Sequence, residues 1–198
     1  FASYSRTLPV HRRRLLERFQ LVDIAVKVVG VGSVGTRCFV MLMMAGKNDP
    51  LFLQVKEARP SVLAPYAGKS PYANEGQRVV IGHHLMQAAS DVFLGWTSGA
   101  NGRQFYVRQL KDMKIKPLVE LFTPTVMLQY AELCGRILAR AHARSGEPAL
   151  ISGYLGRSHA FDEAVASFSL AYADESERDY DALVRAVRRG KLEAILDA

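Results

Sequence analysis

Short apolar runs bounded by turn residues dominate the first half of the chain. The runs at 23–29, 38–44 and 51–56 are rich in β-branched and other apolar residues, which suit the half-buried surface of a sheet. Turn-forming residues at 46–50 separate the second run from the third, so these two runs are predicted to form a hairpin. The pattern therefore predicts a strand-rich first half.

A second hairpin is predicted further along. Residues 92–97 and 104–110 are the predicted strands, and Asn101-Gly102 between them is a dipeptide typical of a tight hairpin turn. The stretch 59–74, which precedes a predicted helix over 75–90, contains three prolines and a glycine. We expect it to be a loop, because proline and glycine interrupt regular structure.

Apolar residues recur at helical spacing in the rest of the chain. The clearest helix is predicted over 125–144 and ends before Gly146 and Pro148, and the others are predicted over 12–20, 161–172 and 180–196. The fold class is therefore α+β. The expected domains are an N-terminal helical extension (1–22), a strand-rich lobe with one helix (23–116) and an all-helical lobe (117–198).

Composition limits the class of protein but does not indicate a function. The 198 residues are 49% hydrophobic and 23% charged, which is ordinary for a globular protein. Because no apolar run approaches the roughly 20 residues that span a bilayer and no signal-peptide pattern opens the chain, we expect a cytoplasmic protein without a membrane partner. The two cysteines, Cys38 and Cys134, lack metal-ligand spacing, and no metal site is predicted. The chain begins at Phe1 and is expected to be a piece of a longer protein.

The net charge of +7 favours polyanionic partners, nucleotides and nucleic acids among them. Basic residues are concentrated near the start of the chain, where His11 is followed by three arginines, Arg12 to Arg14. Leu15, Leu16 and Phe19 follow at helical spacing. This spacing favours a solvated helix face over a nucleic-acid-binding patch.

Three glycines at 30, 32 and 35 form a turn between two apolar runs. Glycines at this spacing let backbone N–H groups approach a phosphate without interference from Cβ atoms. A dinucleotide site would need a helix over 36–45, whereas a kinase-type loop returns directly into a strand. The turn at 46–50 leaves little room for a helix and favours the strand. The predicted phosphate-binding residues of this loop are Gly30, Gly32, Ser33 and Gly35.

Further candidate residues follow the glycine loop at intervals typical of kinase-like folds. Lys56 lies on the predicted strand one hairpin beyond the loop, where an ammonium group would reach phosphate oxygens. Its carboxylate partner would be Glu75, at the start of the next helix, or the nearer Glu57. The segment Gln109-Leu110-Lys111-Asp112 follows the second hairpin and occupies the position of a hinge that would contact adenine.

Six segments together resemble a bacterial family of uncharacterised proteins, the domain of unknown function two-two-five-two. The resemblance covers about residues 23–181 and is carried by KVVGVGSVGTR at 27–37, LFLQVKEA at 51–58, GQRVV at 76–80, LMQAASD at 85–91, YVRQLKDMK at 106–114 and LARAHARSG at 138–146. Members of the family are longer, and their upstream portion carries a Gly-Asp-x-His-x-x-Asn motif and an Asp-x-Asp-like element. Those motifs resemble the catalytic loop and metal-binding acid of aminoglycoside-phosphotransferase-like kinases in circularly permuted order.

The resemblance implies a protein-kinase-like fold that binds ATP with Mg²⁺. Neither upstream motif occurs in this chain, so the metal ligands and the catalytic base are expected in the upstream part of its own longer protein, and the catalytic residues are unknown. The expected function is that of the nucleotide-binding part of a kinase-like protein of unknown substrate, which binds weakly and does not turn over alone. The alternatives are a doubly wound dinucleotide-binding domain and a non-enzymatic, basic nucleic-acid-binding module.

Overall fold

The centre of the fold is a five-stranded antiparallel sheet. The computed structural model describes residues 1–111 and 116–193. The strands follow the order β1-β2-β3-β5-β4, and they comprise β1 (Gln20–Val26), β2 (Cys38–Met44), β3 (Pro50–Ala58), β4 (Gly95–Ser98) and β5 (Gln104–Gln109). The prediction of a strand after the glycine loop is confirmed, since residues 38–44 form β2. The helix over 36–45 that a doubly wound dinucleotide fold requires does not form.

The strand register divides the side chains between two faces of the sheet. Phe39 of β2 is paired with Val55 of β3, which is paired with Val107 of β5, so these three side chains share one face. At the adjacent position of each strand, Cys38 is paired with Lys56, and Lys56 with Tyr106. Because successive side chains alternate across a sheet, these three residues share the opposite face.

Two N-terminal helices, α1 (Ala2–Thr7) and α2 (Val10–Leu16), contribute to the main core on the Phe39 face. The buried apolar cluster contains Tyr4, Leu8 and Leu16 from this region, Phe93, and Met41, Met43, Leu51, Leu53 and Val107 from the sheet. The Tyr4 hydroxyl donates to the Phe93 carbonyl oxygen at 2.6 Å, and burial raises the pKa of Tyr4. Sequence periodicity missed α1, because six residues are too few to show a helical stripe.

Helix α4 (Glu75–Met86) packs on β4 and β5. It begins at Asn74, whose side-chain oxygen accepts the N–H of Gln77 at 3.1 Å and so caps the helix. A Cβ at Gly76 would collide with the carbonyl oxygen of Phe105, so glycine allows the helix to approach β5 closely. The helix ends earlier than the predicted 75–90. In the predicted loop 59–74, Ala64–Ala67 form the short helix α3.

The remaining helices lie in two compact units. Helix α5 (Pro124–Ser145) belongs to the first unit, residues 1–146, and contacts α4. Thr123 caps it, and its bounds agree closely with the predicted 125–144. The second unit, which begins at residue 147, contains α6 (Pro148–Leu155) and α7 (Ala160–Arg188).

The prediction of two helices over 161–172 and 180–196 is wrong, because one helix, α7, continues through the predicted break and ends at Arg188. The polar segment 173–179 between the two apolar stripes contains neither glycine nor proline. Within it, Glu175 and Arg178 form an ion pair one helical turn apart, which supports helix. None of the helices in the described ranges combines the length and apolar character needed to cross a membrane.

Candidate functional site

The glycine-rich segment 27–37 connects β1 to β2 and contains one turn of 3₁₀ helix, Val31–Ser33. The N–H of Ser33 donates to the carbonyl oxygen of Gly30 at 2.9 Å, and the N–H of Thr36 donates to that of Ser33 at 3.0 Å. The Ser33 amide, one of the predicted phosphate donors, is therefore engaged inside the loop in this conformation. Gly35 has a φ of +76°, a conformation that favours glycine.

Gly30 and Gly32 lie where an added Cβ would meet no atom within 4 Å. Packing therefore does not require glycine at either position, and both leave the loop backbone accessible. A cavity of about 390 Å³ lies against this segment and is lined by residues 26–29 and 33–39. The sequence-predicted loop residues Ser33 and Gly35 line it, together with Cys38 at the start of β2.

Glu57 of β3 holds the end of the glycine-rich segment. Its carboxylate accepts the backbone N–H of Arg37 at 2.9 Å and the Arg37 guanidinium at 3.2 Å, and Arg59 contributes a contact at 3.4 Å. Arg59 also donates to the carbonyl oxygen of Gly35. The Glu57 side chain is only 7% exposed. The Arg37 backbone hydrogen bond, together with the two guanidinium groups, lowers the pKa of Glu57 although burial acts against this shift.

Lys56 lies on the sheet face opposite the apolar core and is partly exposed. Its Cα pairs with that of Cys38, where the chain re-enters the sheet after the glycine segment. Two residues earlier on β3, the buried Gln54 accepts both Nε (3.2 Å) and Nη2 (3.1 Å) of Arg108 and donates to Cys38 Sγ at 3.5 Å. This face of the sheet therefore brings Lys56 and Arg108 to neighbouring strands.

Sequence reasoning missed Gln54 and Arg108. The available signal was the alternation in 51–56, where Gln54 and Lys56 are polar positions two residues apart in an otherwise apolar strand. The same face receives α4, since the His83 ring lies 6.5 Å from the Tyr106 ring. Lys56 therefore lies on a polar sheet face that α4 partly covers.

Neither predicted carboxylate partner pairs with Lys56. Glu75 accepts Arg78 Nε at 2.5 Å, and its own backbone N–H donates to Gln104 Oε1 at 2.7 Å. Glu57 faces the opposite side of β3 and pairs with Arg37 and Arg59. Within residues 1–111 and 116–193, Lys56 forms no ion pair. The strand register thus sets the place of Lys56 on the sheet, and no carboxylate of the described residues pairs with its side chain.

The predicted hinge begins at the end of β5. The N–H of Gln109 donates to Asp91 Oδ2 at 2.9 Å, and the N–H of Leu110 donates to the carbonyl oxygen of Phe52 at 2.8 Å. These two amides are engaged within the fold, so adenine recognition in this conformation would not use them. Asp112, the last predicted residue of the hinge, lies outside the described residues.

The arginine cluster near the N-terminus is engaged by the fold. Arg12 donates to the carbonyl oxygen of Asp91 at 3.0 Å, and Arg13 donates to three carbonyl oxygens at the end of α1 and just beyond it, at distances from 3.0 to 3.3 Å. Arg14 pairs with Glu17 on the surface. Arg13 therefore holds local structure, and Arg12 links α2 to a segment 79 residues further along the chain. These contacts account for part of a basic cluster that sequence alone attributes to a solvated face.

Comparison with known proteins adds one finding. The model of a family described as uncharacterized protein conserved in bacteria (DUF2252) matches residues 1–186. Among curated proteins and among solved structures, no match to the chain is found. Among the described residues, no group of three or more His, Cys, Asp or Glu side chains has the arrangement of a metal site.

Proposed function

The chain belongs to this bacterial family of uncharacterized proteins, and we propose that it is the nucleotide-binding part of a kinase-like protein. The observation that carries the proposal is the position of Lys56. In protein kinases a glycine-rich loop covers the phosphates, and the lysine that contacts them stands on the third strand. Here Lys56 is on β3 and is paired with Cys38, directly after the glycine-rich segment.

The electrostatics of the sheet face support a role in phosphate binding. Lys56 and Arg108 supply two positive charges on neighbouring strands, and the buried Gln54 fixes the guanidinium of Arg108. Arginine and lysine are the side chains that most strongly bind phosphate oxygens. Glu57 and Glu75, the two carboxylates predicted as partners of Lys56, are paired with arginines instead.

These residues fit the phosphates of ATP better than they fit Mg²⁺. The metal prefers carboxylate and phosphate oxygens, whereas this sheet face offers cationic groups. Under the proposal, Lys56 and the glycine loop hold the phosphates, and the acids that complete a magnesium site belong to the upstream part of the longer protein. Under the same proposal the cofactor is ATP with Mg²⁺, and the phosphate acceptor stays unassigned.

The test is ATP binding by the 198-residue chain with and without Mg²⁺, measured by isothermal titration calorimetry. Lys56→Ala should weaken binding by about tenfold or more, since a charge-assisted hydrogen bond contributes about 1.5–3 kcal/mol. Lys47→Ala is the matched control, because Lys47 is an exposed lysine in the β2–β3 turn. Equal ATP affinity in the wild-type and Lys56→Ala proteins, or absence of any ATP binding, would refute the proposal.

A further inference from the structure

A second cavity in the first unit is separate from the glycine-rich segment. It has a volume of about 490 Å³ and lies between α2, the end of α4 with the segment 87–90, and the last turn of α5. Its titratable lining residues are His11 and Arg12 from α2, His84 from α4 and Arg144 from α5. No carboxylate is among the lining residues in the described part of the chain. The cavity therefore gathers two permanent positive charges and two imidazoles.

Both arginines are held in place by backbone carbonyl groups. Arg144 donates Nε to the carbonyl oxygen of Leu85 at 3.2 Å and Nη2 to that of His84 at 3.4 Å. Arg12 donates Nη1 to the carbonyl oxygen of Asp91 at 3.0 Å. A guanidinium carries five N–H donors, so these contacts orient each group and engage only part of its donors. Two oriented guanidinium groups at one cavity form an arrangement suited to a tetrahedral oxyanion.

His84 provides an independent indication of a ligand. Its Nε2 atom is buried, and within the described residues it has no hydrogen-bond partner. Buried polar atoms in native proteins almost always have a partner, so an unsatisfied ring nitrogen on a residue that lines the cavity needs an explanation. Burial, followed by the charges of Arg12 and His83, lowers the pKa of His84. A bound anion would provide a hydrogen-bond acceptor for Nε2–H and would also oppose the repulsion from the neighbouring positive charges.

We propose that this cavity binds the phosphate group of a small anion through Arg12, Arg144 and His84. Asp91, the acid that follows the lining segment 87–90, directs its carboxylate oxygens to the backbone N–H groups of Phe93 and Gln109 and is not among the lining residues. Imidazole and guanidinium groups together suit phosphate, which accepts several hydrogen bonds and carries up to two charges. The site shares no residue with the Lys56 face or with the glycine loop.

Calorimetric titration with inorganic pyrophosphate tests the proposal on the whole chain, and ADP in a parallel titration distinguishes a free from a nucleotide-borne phosphate. Arg144→Gln and His84→Gln should each weaken pyrophosphate binding by about tenfold. Arg14→Gln is the matched control, because it removes the same charge from a neighbouring position whose side chain is 76% exposed. Arg14→Gln should bind pyrophosphate as the wild type does. The same comparison in a Lys56→Ala background, which removes the proposed ATP-phosphate contact, should show the same weakening by Arg144→Gln and His84→Gln.

A proton NMR titration of His84 provides a second readout that does not depend on the folding of a variant. Pyrophosphate should raise the pKa of His84, because an adjacent anion stabilises the imidazolium form. Three outcomes would overturn the proposal: no pyrophosphate binding, equal weakening by Arg14→Gln, or no weakening by Arg144→Gln and His84→Gln in the Lys56→Ala background. An unchanged His84 titration at saturating pyrophosphate would also overturn it.

Discussion

The carboxylate of Glu57 accepts the backbone N–H of Arg37 at 2.9 Å, while the backbone N–H of Glu57 donates to the Arg37 carbonyl oxygen at 2.9 Å. This reciprocal pair fixes the point where the glycine-rich segment joins β2. Arg59 adds a hydrogen bond to the carbonyl oxygen of Gly35. The end of the loop is therefore held by the strand that carries Lys56.

Glu57→Gln should reduce the free energy of unfolding by about 1–2 kcal/mol, because a side chain of nearly the same shape loses charge-assisted hydrogen bonds. The loss is modest, since the Arg37 and Arg59 side chains are about half exposed, at 47% and 52%, and water screens their charges. Urea unfolding followed by circular dichroism measures the change. Glu17→Gln, which breaks an exposed pair with Arg14, serves as the control and should cost no more than about 0.5 kcal/mol.

The same contribution should depend on pH. The pKa of Glu57 lies below its ordinary value of 4.5, so the folded state favours the ionised form. The added stability is fully present above that ordinary value and is lost as pH falls through the folded-state pKa. The difference in unfolding free energy between wild type and Glu57→Gln should therefore be constant near neutral pH and should shrink below about pH 4.5. A difference that grows on acidification would contradict the assignment.

Gly35→Ala should lower the unfolding free energy by about 1–2 kcal/mol, since a left-handed backbone crowds a Cβ. The cause is conformation and not lack of space: at φ +76° the nearest atom to an added Cβ is Arg59 Nη1 at 3.9 Å. Gly32→Ala is the matched control within the same loop, because its Cβ meets no atom within 4 Å and its φ is not positive. Differential scanning calorimetry of both variants should show a lower melting temperature for Gly35→Ala alone.

Two glycines on α4 should respond to alanine in opposite directions. Gly76→Ala places a methyl group against the Phe105 carbonyl oxygen and should destabilise the protein by about 1–3 kcal/mol, the usual cost of overpacking. Gly82→Ala meets no atom within 4 Å and should stabilise the helix by about 0.5–1 kcal/mol, the difference in helix propensity. Guanidinium unfolding curves of the two variants check the sign of each effect. Stabilisation by Gly76→Ala would show that α4 does not approach β5 so closely.

Local patterns predicted the elements in which one hydrophobic periodicity, that of a strand or that of a helix, extends over the whole segment. The strand assignment of 38–44 and 51–56 and the helix over 125–144 followed from runs long enough to show alternation or a stripe, and the structure agrees with them. The prediction of a break within α7 is wrong for a different reason. The polar segment 173–179 interrupts the apolar pattern, but it contains neither glycine nor proline, so helix hydrogen bonds continue through it at little cost.

The candidate site depends on register, which a sequence does not reveal. The alternation in 51–56 shows that Gln54 and Lys56 share a face, but the pairing of Lys56 with Cys38 and Tyr106 arises only when three strands align. The carboxylate partner of Lys56 could not be predicted from the sequence for the same reason. Spacing along the chain favoured Glu75 or Glu57 for Lys56, whereas arginines from other positions reach both acids in the folded chain.

The sequence by itself determined that this protein is α+β, that a glycine-rich turn joins two strands and that a lysine follows one hairpin later, because these features depend on local periodicity and turn chemistry. Only the tertiary structure decided which charges meet. Arg37 and Arg59 converge on Glu57, Arg108 meets Gln54, and the 490 Å³ cavity joins residues of α2, α4 and α5 that lie up to 133 positions apart, between His11 and Arg144. Such contacts depend on long-range packing, to which no local pattern is sensitive.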